Sequence, residues 1–150
     1  MKKYHIVNLQ FETDVLFSEP QKLGLDAYTM IYPDKANIGE ELISLNFVEY
    51  TKKAMEEMQM TPEEFLEYAK NVFFATGKNP DSIKKRAILG KEIQSQIINK
   101  TIPKPIMLET GIFKLNSGIY VVYGIESQEE MDKQEVERIT LSVLNSLQEI

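Results

Sequence analysis

Two residue types narrow the chemistry available to this chain of 150 residues. It has no cysteine, which excludes disulfides, thiolate nucleophiles and cysteine-based zinc or iron–sulfur sites. Its one histidine is His5, so a histidine metal site or a Ser-His-Asp triad would have to use that residue. His5 shares a predicted strand face with Val7 and Leu9, and no partner for acid–base chemistry can be named. We therefore expect a structural or surface role for His5, no catalytic residue, no metal and no cofactor.

Motifs for nucleotide binding and for hydrolysis are also missing. Gly90-Lys91 is not part of a P-loop, because Lys85 stands where the first glycine is needed and Glu92 replaces the magnesium-binding Ser or Thr. Neither G-x-G-x-x-G nor G-x-S-x-G occurs. Asn116-Ser117-Gly118 is typical of a tight turn rather than of a nucleophile elbow.

Charged clusters have structural explanations. The pairs Glu56-Glu57, Glu63-Glu64 and Glu129-Glu130 lie at predicted helix starts or on helix faces, where carboxylates favour the positive end of the helix dipole. A two-carboxylate glycosidase site stays open, but nothing singles out one pair. We interpret Lys84-Lys85-Arg86 as part of a solvated loop, with an anion or protein contact as the alternative.

Tyrosine is the remaining polar candidate for a binding site. The chain has seven tyrosines and seven phenylalanines but no tryptophan. Most tyrosines on predicted strands should be core residues with a hydrated hydroxyl. Tyr28, Tyr32 and Tyr120 are the ones that we select as candidates to line a ligand groove.

Composition places the chain among ordinary single domains, and we expect one domain over residues 1–150. The net charge of −6 disfavours nucleic acids and anionic membrane surfaces. No apolar stretch is long enough to span a membrane. Two lysines open the chain, but Asn8 and Gln10 interrupt what would be the apolar part of a signal peptide. We therefore expect a cytoplasmic protein, and a mature secreted chain with an added Met stays open.

In the first half of the chain, alternating apolar residues predict three strands. They cover residues 4–11, with a continuation at 15–17 after a turn, then residues 27–32 and 42–50. A short helix is predicted over residues 52–58. A second helix should begin at Thr61, where Pro62 and Glu64 complete a capping box, and end near Gly77.

In the second half, residues 87–98 fit a helix and a strand equally well, and Gly90 favours strands. Residues 106–115 and 119–125 predict a β-hairpin whose second strand, apolar on both faces, should be central. A last helix should begin at Ser127, with Glu130 closing a second capping box. Its predicted buried stripe consists of Val136, Ile139, Val143, Leu147 and Ile150. Since hairpins dominate, we expect an α+β fold with an antiparallel sheet and helices packed on it.

The order of these segments resembles that of the Mog/PsbP-like proteins, including the DcrB-like bacterial group. The resemblance covers almost the whole chain and involves residues 4–17 before Pro20, 36–38, 42–50, 60–68, 90–93, 108–113, 118–123 and 136–147. It implies an antiparallel sheet flanked by helices, an α/β/α sandwich. It also implies an accessory or binding protein rather than an enzyme, and we transfer no functional residue.

The function expected from these observations is that of a non-enzymatic accessory domain that binds a protein partner through the sheet rim or loops. The alternative is a small-molecule-binding protein, or an enzyme of unfamiliar type, with a tyrosine-lined cleft. A self-associating protein, such as a homodimer, is the third hypothesis.

Overall fold

A computed structural model describes residues 1–24, 26–74 and 80–150 of the chain. The predicted helix end at Gly77 lies outside these ranges. The described strands are β1 (Lys2–Ile6), β2 (Leu9–Thr13), β3 (Gln21–Gly24), β4 (Ala27–Tyr32), β5 (Ile43–Tyr50), β6 (Ser82–Ile88), β7 (Lys91–Lys100), β8 (Ile106–Lys114), β9 (Tyr120–Gln128) and β10 (Gln148–Glu149), and the helices are α1 (Lys52–Glu57), α2 (Pro62–Phe73) and α3 (Lys133–Leu144).

The main sheet has seven strands in the order β3-β4-β5-β9-β8-β7-β6. All of its pairs are antiparallel, which confirms the predicted α+β class with an antiparallel sheet. β9 lies at its centre, as the apolar pattern on both faces of that segment predicts. A smaller sheet is formed by β1, β2 and β10.

Each face of the main sheet has its own apolar cluster. On one face, Val121 and Tyr123 of β9 belong to a cluster with α3 residues such as Val143 and with the small sheet. We call this the α3 face. On the other face, Val122 belongs to a cluster with Phe65 of α2 and Met55 of α1. We call this the α2 face. The strand period of two explains this division, because successive side chains point to opposite faces.

The predicted strand over residues 4–11 is wrong, because that segment is a hairpin. β1 and β2 pair with Ile6 opposite Leu9, which leaves Val7 and Asn8 in the turn. Val7 and His5 are exposed, whereas Ile6 and Leu9 are buried. The alternating residues over 4–11 therefore do not form one face of one strand, because they are divided between β1, the turn and β2. Residues 15–17 follow as an irregular segment instead of continuing the strand.

The predicted start of the last helix at Ser127 is also wrong. Ser127 is buried in β9, paired with Ile43 on one side and Met107 on the other. Pairing with two neighbouring strands overrides the local capping pattern, and Asp132 caps α3 instead by accepting a hydrogen bond from the Gln134 N–H at 3.1 Å. Of the predicted stripe, Val136, Ile139 and Val143 are buried in the helix, Leu147 is buried beyond it, and Ile150 is exposed.

The other local signals are confirmed. Thr61 and Glu64 form the capping box of α2, with both N–H···O distances at 3.2 Å. Residues 87–98 fall in the β6–β7 hairpin, whose turn residues Leu89 and Gly90 both have positive φ. That backbone conformation cannot continue a helix and suits a tight hairpin turn. The β8–β9 hairpin closes at Gly118, also with positive φ.

Candidate functional site

Three loops meet at the edge of the main sheet where β4, β7 and β9 end. They are residues 33–42, 101–105 and 129–132, and we call them together the loop end. Adjacent strands β4, β5, β9, β8 and β7 bring these segments together although they are far apart in the chain. Hydrogen bonds join them: Lys104 Nζ donates to Gly39 O, Gln128 Nε2 donates to Glu41 O at 3.1 Å, and the Glu129 N–H donates to Pro105 O at 3.2 Å.

Two isoleucines stand out from the loop end. Ile38 is 92% exposed and Ile102 is 83% exposed, and after Met1 they are the most exposed large apolar side chains in the described part of the chain. Burial of one such side chain is worth about 1.5–3 kcal/mol. The loops are fastened to each other, so any contact made by these side chains would carry a reduced entropic cost of ordering.

A cavity of about 230 Å³ lies between the first two loops. It is smaller than the usual site for a cofactor or drug-sized ligand, and its size suits one inserted side chain. Its walls are partly apolar and partly polar: Glu41, Leu42, Ser44, Lys100, Ile102, Pro103, Lys104, Ile106, Glu126, Ser127 and Gln128.

The loop end is acidic. Its three loops hold six carboxylates and two lysines, and so carry four of the six net negative charges of the chain. A partner surface with an excess of lysine and arginine would be steered towards it. The charged residues are Asp34, Lys35, Glu40, Glu41, Lys104, Glu129, Glu130 and Asp132.

A buried charge network lies on the α3 face. Arg86 binds Glu109 through two parallel hydrogen bonds, Nε to Oε2 at 3.0 Å and Nη2 to Oε1 at 2.6 Å. Its Nη1 donates to Glu137 of α3 at 2.8 Å, and Tyr123 Oη donates to Glu109 Oε2 at 2.9 Å. Arg86 and Glu109 are 5% and 3% exposed. The prediction of a solvated loop for Lys84-Lys85-Arg86 is therefore wrong, because these residues lie in β6 and the strand alternation turns Arg86 inward.

The electrostatics of this network favour fixed charges. Burial alone would lower the pKa of Arg86, but the hydrogen bonds to Glu137 and Glu109 raise it above its ordinary value. The hydrogen bond from Arg86 lowers the pKa of Glu137. Burial, reinforced by the charge of Glu109, raises the pKa of Tyr123. The arginine stays charged and the tyrosine stays neutral across the physiological range, so the network serves the structure rather than proton transfer.

Gly111 makes room for this network. It lies opposite Tyr123 on the neighbouring strand, and a Cβ atom at Gly111 would lie 2.3 Å from Tyr123 Cε1. The aromatic ring thus lies directly over the glycine, which brings Tyr123 Oη to Glu109.

A second buried carboxylate forms no ion pair with the residues that the structure describes. Glu49 of β5 is buried, and its Oε2 accepts a hydrogen bond from Asn8 Nδ2 at 2.9 Å. No described residue binds its Oε1. Burial raises the pKa of Glu49, the hydrogen bond from Asn8 opposes that effect, and the charge of Asp26 adds to it.

The three candidate tyrosines do not lie in one cleft. Tyr28 and Tyr32 are half-buried on β4 and pack against the α3-face cluster, where the ring centroid of Tyr32 lies 6.0 Å from that of Phe17. Tyr120 is buried on the opposite face of the sheet, 5.5 Å from the Phe65 ring. Among the described residues, a ligand groove that joins all three tyrosines therefore does not exist.

Sequence reasoning missed the residues that define the loop end. The available signals were weak: Ile38 is an isolated apolar residue between Asn37 and Gly39, and Ile102 precedes a proline. Within the described ranges, no group of three or more histidines, cysteines, aspartates or glutamates could hold a metal ion. No helix of that part of the chain is long and apolar enough to cross a membrane.

No protein-family model matches the chain, and no curated protein matches it. A crystal structure from Bacteroides thetaiotaomicron is similar over 95% of this chain at 11% sequence identity, with a TM-score of 0.49. The chain spans 45% of the length of that protein.

Proposed function

We propose that this chain is a non-enzymatic accessory domain that binds a protein partner at the loop end. The observation that carries the proposal is the pair of exposed isoleucines, Ile38 and Ile102, on loops that hydrogen bonds fasten to each other. Exposed apolar side chains with a polar surround are typical of protein-binding surfaces. The cavity beside Ile102 offers a place for one apolar side chain of the partner.

The partner in this proposal presents apolar side chains within a basic surface. The six carboxylates of the loop end support this chemistry, because they attract lysine and arginine. The same charge argues against an anionic membrane or a nucleic acid as the occupant, since phosphate groups would be repelled.

The domain organisation, the fold family and the location of the protein belong to the same proposal. We propose that residues 1–150 form one domain in which the two helical layers and the sheet correspond to the α/β/α sandwich of Mog/PsbP-like proteins, and that the protein acts in the cytoplasm. Accessory roles are the expected function of that group, so the fold proposal and the binding proposal support each other.

The proposal is tested by affinity capture from native lysate with the wild-type chain and the double variant Ile38→Asp/Ile102→Asp. The matched control is Leu23→Asp/Ile83→Asp, which replaces two exposed apolar residues elsewhere on the surface. We expect a stoichiometric protein that the wild type and the control capture and that the loop-end variant does not. For the purified pair, each loop-end substitution should weaken binding by about tenfold or more, because the burial of an isoleucine is lost.

Salt provides the second readout. If the partner surface is basic, the dissociation constant should rise with ionic strength as the charges are screened. Retained binding by the loop-end variant, or equal loss by the control, would contradict the proposal. If the wild type forms a homodimer and substitution of Ile102 dissociates it, the partner at the loop end is a second copy of this chain and not a different protein.

A further inference from the structure

The helices on the α2 face cover only part of that face, and a cleft opens where they end. The helix α2 ends at Phe73, and its apolar cluster includes Val122 of β9. The next two residues of β9 that point to the same face are Gly124 and Glu126. A cavity of about 330 Å³ lies there, and it falls within the usual size range of small-molecule sites. We call it the α2 cleft.

Apolar side chains form most of the wall of the α2 cleft. The helix α2 supplies Val72 and Phe73, and the strands of the main sheet supply Val48, Leu108 and Val122. Val72 is 54% exposed. An apolar group that enters the cleft would therefore remove apolar surface of the protein from water as well as its own.

A glycine lies in the middle of the cleft floor. Gly124 pairs with Asn46 on one side and with Thr110 on the other, and all three line the cavity. A Cβ atom at Gly124 would make only an ordinary 3.7 Å contact with Leu108 Cδ1, so the packing of the sheet does not require a glycine there. The missing side chain leaves room for a ligand directly over the sheet.

One cation and one anion line the α2 cleft, and their charges balance. They are Lys100 and the half-buried Glu126, and neither forms an ion pair with the other or with a further residue of the described ranges. They lie on β7 and β9, which β8 separates, so their backbones are at least about 9 Å apart. A ligand with a single charge would be attracted by one of these side chains and repelled by the other, whereas a zwitterion can bind both.

We propose that the α2 cleft binds a free α-amino acid with an aliphatic or aromatic side chain. Its ammonium group would bind Glu126, its carboxylate would bind Lys100, and its side chain would lie over Gly124. The cleft adjoins the loop-end cavity, which Lys100 and Glu126 also line. Neither Ile38 nor Ile102 lines the cleft, so the two proposals can be tested separately.

The experiment is a titration with L-leucine, followed by NMR of protein labelled with ¹³C at the valine methyl groups. Two control compounds keep the carbon skeleton: 4-methylpentanoate lacks the ammonium group of leucine, and 3-methylbutylamine lacks its carboxylate. We expect saturable shifts at Val48, Val72 and Val122 with L-leucine, and none at Val121 and Val143, which are buried on the α3 face. Each control compound should bind at least about fivefold more weakly, because it loses one charge interaction and keeps the repulsion.

Two substitutions distinguish recognition of both charges from simple apolar partition. Glu126→Gln should weaken L-leucine binding by about threefold to tenfold without weakening 4-methylpentanoate binding, because only the ammonium group loses its partner. Lys100→Gln should weaken L-leucine binding to a similar extent without weakening 3-methylbutylamine binding. Glu57→Gln and Lys22→Gln are the matched controls, exposed and outside the cleft, and should change none of these affinities.

The outcome does not depend on the protein-binding proposal. The variant Ile38→Asp/Ile102→Asp should bind L-leucine as the wild type does, even though it should lose the protein partner. The amino-acid proposal fails if Val72 and Val122 do not shift, or if either control compound binds as well as L-leucine. It also fails if Glu126→Gln or Lys100→Gln leaves the affinity for L-leucine unchanged.

Discussion

Removal of either Arg86 or Glu109 alone should lower the free energy of unfolding, and removal of both should lower it no further. Arg86→Met strands a carboxylate that is 3% exposed and retains one donor, Tyr123 Oη. Glu109→Leu strands the guanidinium, which retains only Glu137, whose side chain is 34% exposed. A buried charge without its partner costs about 3–5 kcal/mol, and the second case should lie near the lower end because Glu137 remains.

The double variant Arg86→Met/Glu109→Leu removes both buried charges. Its remaining penalties are the Tyr123 hydroxyl without its Glu109 acceptor, about 1–3 kcal/mol, and the loss of the arginine partner of Glu137, which costs less because that side chain is partly exposed. We therefore expect the double variant to be no less stable than either single variant, which corresponds to a coupling energy of at least about 3 kcal/mol. Lys85→Met is the matched control on the same strand, where the ion pair with Glu92 is exposed at 3.5 Å, and it should change stability by less than about 1 kcal/mol.

The assay is urea denaturation at neutral pH, monitored by tyrosine fluorescence and circular dichroism, since the chain has no tryptophan. Additive destabilisation in the double variant would refute the network as described. A single variant within about 1 kcal/mol of the wild type would do the same, because it would mean that water reaches the pair.

Two further predictions concern stability. Gly111→Ala should destabilise the fold by about 1–3 kcal/mol, because its Cβ would collide with the Tyr123 ring. Gly124→Ala is the matched control and should be nearly neutral, because its Cβ would make an ordinary 3.7 Å contact with Leu108. Equal effects of the two substitutions in urea denaturation would show that the ring does not lie over Gly111. Since burial raises the pKa of Glu49, the folded state holds that proton more tightly than the unfolded state does, and its contribution to the free energy of unfolding should fall as pH rises from the ordinary glutamate pKa through the raised one. Glu49→Gln should remove that decline, so that the variant gains stability relative to the wild type as the pH rises above the ordinary glutamate pKa. A parallel pH dependence of the two proteins would contradict the assignment.

Local signals were sufficient for parts of the fold. The capping box at Thr61 and the β8–β9 hairpin depend on residues within a few positions of each other, so their patterns are visible in the sequence. The N-terminal hairpin was missed because its turn, Val7-Asn8, has no glycine and interrupts the alternation without a visible break. The helix α3 begins later than the predicted Ser127, because the pairing of Ser127 with two distant strands outweighs its local preference for a helix cap.

The candidate sites depend on contacts that no local pattern carries. The loops that carry Ile38 and Ile102 come to one edge only through the sheet order that brings the ends of β4 and β7 together. Arg86 meets Glu109 across two hairpins and Glu137 from a helix 51 residues away. The basic cluster Lys84-Lys85-Arg86 is visible in the sequence, but the inward position of its last member follows only from the strand register.

Site-specific photo-crosslinking in native cells would show whether the loop end binds a protein. Benzoylphenylalanine is placed singly at Ile38, Ile102, Leu23 and Ile83, four exposed positions. We expect one shared crosslinked protein for Ile38 and Ile102 that is absent for Leu23 and Ile83. The same product from all four positions, or a shared product only from Leu23 or Ile83, would contradict it.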